Sequence, residues 1–145
     1  MSLLNIRTQL VALLDSIKAT AGFNAVYYDI PTSIEVTPAV AVILNGFSDE
    51  LADSNGTDLN AKFTIRVMVE KKLNDYNNTT QTTKLLNIVD SILTELRKKS
   101  NTTLNGETFY LLSTGGSEMG VGQIEQMNVF YVNIEVEAKS YNIIC

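Results

Sequence analysis

Residues 61–70 read AKFTIRVMVE, and apolar side chains occupy every second position of this stretch. Successive side chains of a β-strand point to opposite faces, so this alternation predicts a strand with one face in the core and one wetter face. The side chains that share the predicted core face are Ala61, Phe63, Ile65, Val67 and Val69. We interpret the segments on either side as partner strands or as the cover of this apolar face.

Four further segments have strand character. Residues 24–30 form a short aromatic segment that ends at Pro31, which predicts a first strand at a sheet edge. Pro38 precedes residues 39–44, AVAVIL, which are apolar on both faces and therefore predict a central strand or one that faces a partner. A long final strand is predicted over residues 124–139, and its first half is again apolar on both sides. A shorter strand at residues 108–112 precedes it.

Two amphipathic helices complete the pattern. Apolar side chains recur at three- and four-residue steps over residues 3–17 and again over residues 85–96. The predicted order is helix, three strands, helix and two strands. A two-layer α+β fold, with a mainly antiparallel sheet of about five strands and both helices packed on one face, is the simplest arrangement for this order. With 145 residues, the chain is expected to form a single domain over residues 1–145.

The composition argues against catalysis. The chain has no histidine, which is the commonest general base and metal ligand, and its single cysteine is Cys145. The formal charge of −5 is a poor basis for tight binding of nucleic acid. No apolar run approaches the roughly 20 residues of a membrane-spanning helix. We therefore expect a protein that is not an enzyme, has no cofactor and does not contact a membrane.

Two polar segments are predicted to be loops. Residues 48–58 are acidic but lack the spacing of an EF-hand, and residues 115–122 are rich in glycine but lack the lysine of a phosphate-binding loop. Both segments are candidates for docking a partner and for ordering only when that partner binds. The docking residues predicted in them are Asp49, Glu50, Asp53, Asp58, Ser117, Glu118 and Met119.

Surplus apolar surface predicts self-assembly. Two helices cover one side of a sheet, yet residues 39–44 and the first half of the last strand are apolar on both sides. Either a loop of the same chain or a second subunit must cover the other side, and exposed apolar patches favour the subunit. The residues predicted at this subunit interface are Val40, Val42, Met127, Val129 and Tyr131.

The whole chain resembles the tail terminator, or tail-to-head joining, family of long-tailed bacteriophages. The resemblance lies in the length of the chain, in the order of its elements and in their pattern of polar and apolar residues. It is carried by the first helix, the aromatic first strand, the proline-led strand, the acidic loop, the alternating strand, the second helix and the closing strands, at residues 3–17, 25–28, 38–44, 48–58, 61–70, 85–96 and 108–139.

This resemblance implies a structural virion protein that forms a hexameric ring on the end of the tail tube. The ring would stop tube polymerisation, join the tail to the head connector protein and let DNA pass through its lumen without specific binding. Assembly would take place in the cytoplasm of the bacterial host. Two alternatives remain: another neck, tail-completion or baseplate protein of the same architecture, and a small α+β ligand-binding domain or enzyme.

Overall fold

A computed structural model describes residues 3–29, 31, 36–71, 79–98, 109–116, 119–125 and 127–143. This part of the chain forms two helices and six strands. In chain order they are α1 (Leu3–Ala21), β1 (Ala25–Tyr27), β2 (Ala39–Asp53), β3 (Gly56–Glu70), α2 (Thr79–Leu96), β4 (Phe109–Gly116), β5 (Gly120–Ile124) and β6 (Met127–Ile143).

The strands form one sheet in the order β1-β2-β3-β6-β4, and β5 also pairs with β6. β1 runs parallel to β2, and the other described pairs are antiparallel. β4 pairs with residues 134–140 of β6, and β5 pairs with residues 127–131 of the same strand. The two short strands therefore follow one another along one side of β6, while β3 occupies the other side.

Both helices pack on the same face of this sheet. One buried cluster joins Ile6 and Leu10 of α1, Leu85 and Ile88 of α2, and the alternating face of β3 that includes Phe63. Phe63, Ile65 and Val67 are each 1% exposed or less, as the alternation in residues 61–70 predicts. The predicted α+β class, with two helices on one face of a mostly antiparallel sheet, is confirmed.

The acidic segment at residues 48–58 is a paired hairpin, which corrects the loop prediction. β2 continues to Asp53 and β3 begins at Gly56, so only Ser54 and Asn55 form the turn. Polar side chains do not prevent strand pairing where both faces meet water. The third strand, β6, pairs with β3 as far as Gly56 and so supports the hairpin over its full length.

The glycine-rich segment is also largely strand. Gly115 and Gly116 end β4, and Gly120 and Gly122 lie in β5. The sheet consequently has six strands where about five are predicted. A hairpin between Ile124 and Met127 returns the chain into β6, and Glu125 in its turn has a positive φ of 53°. The element order gains one short strand and otherwise matches the prediction.

Two neighbouring leucines of α2 test how much the packing of the helices on the sheet contributes to the free energy of unfolding. Leu85 is fully buried against the sheet, whereas Leu86 is 52% exposed. We expect Leu85→Ala to lower the free energy of unfolding by about 2–5 kcal/mol because it removes core contacts and leaves a cavity. Leu86→Ala is the matched control and should change it by less than about 0.5 kcal/mol. Urea denaturation measures both variants, and equal effects would contradict this packing.

Candidate assembly surfaces

The face of the sheet opposite the helices, called the outer face below, carries a second apolar cluster. Ala39, Ala41 and Met68 are buried there, each 1% exposed or less. Apolar side chains that are partly buried pack around these three: Ala25, Tyr27, Ile43, Ile124 and Tyr131. This cluster exists because β2 and the first half of β6 are apolar on both faces, as their sequences show.

A depression of about 240 Å³ opens beside this cluster. It is called the outer pocket below, and its walls include Ala41, Arg66, Met68, Ile124, Val129 and Tyr131. Small and apolar side chains form much of the wall, and Arg66 supplies a cation at the same site. Such a surface suits a partner segment in which a carboxylate lies next to an apolar side chain.

Tyr131 is held in place from two directions. A Cβ atom built on Gly120 would lie 2.5 Å from the Tyr131 Cζ atom, and one on Gly122 would lie 3.3 Å from its Cε1 atom, so the ring lies across β5. The Arg66 guanidinium carbon lies 4.8 Å from the centre of the Tyr131 ring, a cation–π contact. The Arg66 Nε–H donates to the Asn133 Oδ1 atom at 2.8 Å. These contacts preorganise one wall of the outer pocket.

The rest of the outer face is polar. The Asn45 side-chain amide donates to the Thr64 hydroxyl and to the Glu135 Oε2 atom, the latter at 3.2 Å. The Thr64 hydroxyl donates to the same Glu135 oxygen at 3.0 Å. Asn45 lies at an irregularity of β2, where the register with β3 shifts between Leu44 and Gly46. These polar side chains bond to one another, so the apolar part of the outer face is the stronger candidate for binding.

The predicted interface residues fall into three environments. Val40 and Val42 are fully buried in the core beneath the helices, so they have no surface to give to another subunit. Val129 is on the outer face, but it is only 2% exposed because its own chain covers it. Met127 and Tyr131 are partly exposed. The subunit interface therefore stays a prediction for Met127, for Tyr131 and for the outer pocket that Tyr131 lines.

The predicted docking carboxylates lie on the hairpin arm, defined here as residues 46–60 of β2 and β3. Asp49, Glu50, Asp53 and Asp58 are all exposed there. Ser117 and Glu118 lie outside the described residues, and Met119 is 39% exposed just before β5. The two predicted docking segments thus belong to different parts of the sheet, and their role in docking stays a prediction.

The tip of the arm is fixed by hydrogen bonds to Asp53. Its Oδ1 atom accepts from the Asn55 backbone N–H at 2.7 Å and from the Tyr141 hydroxyl at 3.0 Å. The backbone bond and then the tyrosine bond lower the pKa of Asp53 below its usual value. Desolvation, followed by the neighbouring Asp53, raises the pKa of Tyr141. The Tyr141 ring packs directly over Gly56, where a side chain would collide with it.

Two apolar residues of the arm were not among the predicted sites. Phe47 is 61% exposed and Leu51 is 70% exposed. They pair with Ala61 and Thr57 of β3, so both lie on the helix side of the sheet, where they remain exposed. Phe47 and Leu51 are four residues apart and share one face of a strand with Asp49. A segment predicted to be a loop has no strand faces, so this pair was missed.

The described residues contain no metal-binding cluster and no membrane-spanning helix. In these ranges, no three side chains among Asp, Glu, His and Cys come together in a way that could hold a metal ion. Neither described helix is long and apolar enough to cross a membrane. The arrangement can bind a partner through apolar burial and complementary charge.

Solved structures with a similar fold are known. No protein-family profile and no curated protein sequence matches the chain. A chain in the virion of a native gene transfer agent particle superposes with a TM-score of 0.56 at 13% identity, covering 94% of each chain. A chain in the sheath/tube terminator of an extracellular contractile injection system, PVC, in its extended state superposes with a TM-score of 0.57 at 12% identity. That match covers 100% of this chain and 57% of the other. The chain thus shares its fold with both of these chains, which agrees with the fold that the sequence resemblance implies.

The Asp53 contacts predict a pH dependence of stability. The pKa of Asp53 is lower in the folded chain, so its ionised form stabilises the fold above the usual carboxyl pKa. This contribution is lost as pH falls through the lowered value. We expect Asp53→Asn to destabilise the protein at pH 7 and to differ less from the wild type near pH 2. Glu50→Gln, which removes the same charge on the arm outside the turn, is the control. A pH-independent difference for Asp53→Asn would contradict the assignment.

The packing of Tyr131 against β5 predicts that Gly120 does not tolerate a side chain. Gly120→Ala forces the ring to move and should lower the free energy of unfolding by about 1–3 kcal/mol, as overpacking does. Gly46→Ala is the matched control because a Cβ there meets no atom within 4 Å. Thermal unfolding of both variants measures the difference. Equal stability of the two would show that the Tyr131 ring is not held across β5.

Proposed function

We propose that this chain is a non-enzymatic structural subunit of a bacteriophage-like particle, which forms a ring on the end of the tail tube. The observation that carries the proposal is the likeness of fold, over nearly the whole chain, to a chain of a gene transfer agent virion and to a sheath/tube terminator. The apolar outer pocket supports it, because a subunit that works by assembly needs a surface of this kind.

In this proposal the ring has six subunits, as the resemblance to tail terminators implies. Repetition of one head-to-tail contact generates a ring when its rotation closes. Met127 and Tyr131, which are partly exposed on the outer face, take part in this contact. The ring caps the tail tube protein, terminates its polymerisation and presents its opposite side to the head connector protein.

The charge of the chain suits a channel for DNA. A formal charge of −5 disfavours tight binding to phosphates, so DNA can pass through the lumen without being held. Glu50, Asp53 and Asp58 of the arm and the segment around Met119 are the proposed contacts with the tube or the connector. The protein would be assembled in the cytoplasm of the bacterial host and would remain in the virion, at the tail or neck.

The outer pocket gives less support to a small-molecule function. Pockets that bind drug-sized ligands measure about 300–1,000 Å³, and the outer pocket, at about 240 Å³, is smaller. Its size suits one or two side chains of a protein partner. A neck, tail-completion or baseplate protein of the same architecture differs from a terminator in its docking partner, which electron microscopy can identify.

The proposal is tested by mixing the purified protein with purified tail tubes and imaging them by negative-stain electron microscopy. We expect rings in the protein alone or at tube ends. Tyr131→Asp should reduce the fraction of capped tubes at least about tenfold, because it places a charge in the apolar contact. Thr83→Asp adds the same charge on the exposed side of α2 and is the control. Tubes that remain uncapped at every concentration of wild-type protein would overturn the proposed function.

A further inference from the structure

The chain carries an apolar projection and an apolar depression that it cannot bring together by itself. The projection is the pair Phe47 and Leu51 on the arm, 61% and 70% exposed. The depression is the outer pocket of about 240 Å³. Phe47 and Leu51 lie on the helix side of the sheet, whereas Ala41 and Met68 of the pocket lie on the outer face. The two surfaces are thus on opposite faces of one paired sheet.

The separation along the strands also prevents contact within one chain. Phe47 and Leu51 lie six and ten residues from Ala41 on the same strand, β2. At about 3.3 Å per residue, this places them roughly 20–33 Å from the pocket wall. Apart from the register shift at Asn45, the strand is paired with β3 over this length, so the arm cannot fold back over the sheet. Only another molecule can fill the pocket with this part of the chain.

The charges of the two surfaces are complementary. Asp49 lies between Phe47 and Leu51 on the same face of the arm and is exposed. Arg66 lines the pocket and directs its Nε–H to Asn133. A guanidinium has five N–H donors, so Arg66 has further donors for a carboxylate that approaches with the arm. Glu125 also lines the pocket and repels a second carboxylate. Asp49 therefore approaches the part of the pocket wall that Arg66 forms.

We propose that the hairpin arm of one subunit inserts Phe47 into the outer pocket of a second copy of this chain, with Leu51 packed beside the pocket and Asp49 paired to Arg66 of that copy. This inference rests on the proposed ring and names its contact. Two different surfaces on opposite faces make the contact head-to-tail, the geometry from which closed rings arise. Phe47 is the anchor, since a buried aromatic side chain carries much of the energy of an interface.

Self-association of the purified chain, measured by sedimentation velocity, is the first test. Phe47→Ala should weaken it at least about 30-fold, the size of an interface hot spot. Because Phe47 is exposed in the single chain, thermal unfolding of the variant should stay close to that of the wild type. Wild-type association of a Phe47→Ala, Leu51→Ala double variant would overturn the inference.

A charge exchange gives the sharper test. Asp49→Arg and Arg66→Glu should each weaken association, and the double variant should recover most of it, because the pair is restored with its signs reversed. Glu50→Arg is the matched control, since Glu50 is the exposed neighbour of Asp49 on the other face of the arm. Thermal unfolding identifies a variant that does not fold; if Arg66→Glu is one, the loss of association in Asp49→Arg compared with Glu50→Arg decides the pairing. An equal loss for Glu50→Arg, or no recovery in a folded double variant, would overturn the pairing.

The outcomes separate this inference from the proposed function. Rings that form and cap tubes without the arm residues would overturn the inference and leave the proposed function standing. Arm variants that form rings but do not bind tubes would assign the arm to the tube protein and would also overturn it. Arm-dependent association in a protein that never caps a tube would support the inference and overturn the proposed function.

Discussion

The antiparallel ladder between β3 and β6 is the constraint on which the rest of the structure depends. It pairs all 15 residues of β3, from Gly56 with Ile143 to Glu70 with Val129. The same alternation that buries Phe63 and Ile65 beneath the helices fixes Arg66 and Met68 on the outer face. A shift of one residue would exchange the two faces, so the buried core sets the register and, with it, the position of every candidate binding residue.

The ladder also extends the sheet beyond its helices. The helices cover the part of β3 that includes Phe63 and Val67, and the strands continue to the turn at Ser54 and Asn55. Tyr141 of β6 secures that extension by packing over Gly56 and bonding to Asp53. An acidic segment that resembles a loop in composition is therefore a supported arm. Exposed apolar residues at its surface stay fixed relative to the outer pocket.

Much of the fold was predictable because it follows from local periodicity. The alternation in residues 61–70 and the stripes of the two helices each depend on side-chain spacing alone, and all three elements formed as expected. The errors occurred where pairing depended on a distant strand. The segments at residues 48–58 and 115–122 have the composition of loops, but β6 supplies backbone partners to both regions. Hydrogen bonding to a distant strand outweighed their weak local preference.

The sequence by itself determined the α+β class, the burial of one face of β3 and the existence of surplus apolar surface on β2 and β6. It could not determine which of those apolar residues stay exposed for binding. Their exposure depends on which elements pack against each face of the sheet. Only the tertiary structure placed Val40 and Val42 beneath the helices and Tyr131 beside Arg66 at an open pocket. Only the strand register placed Phe47 and Leu51 on the face opposite that pocket. Side-chain period is a local property, whereas exposure is a property of the packed sheet as a whole.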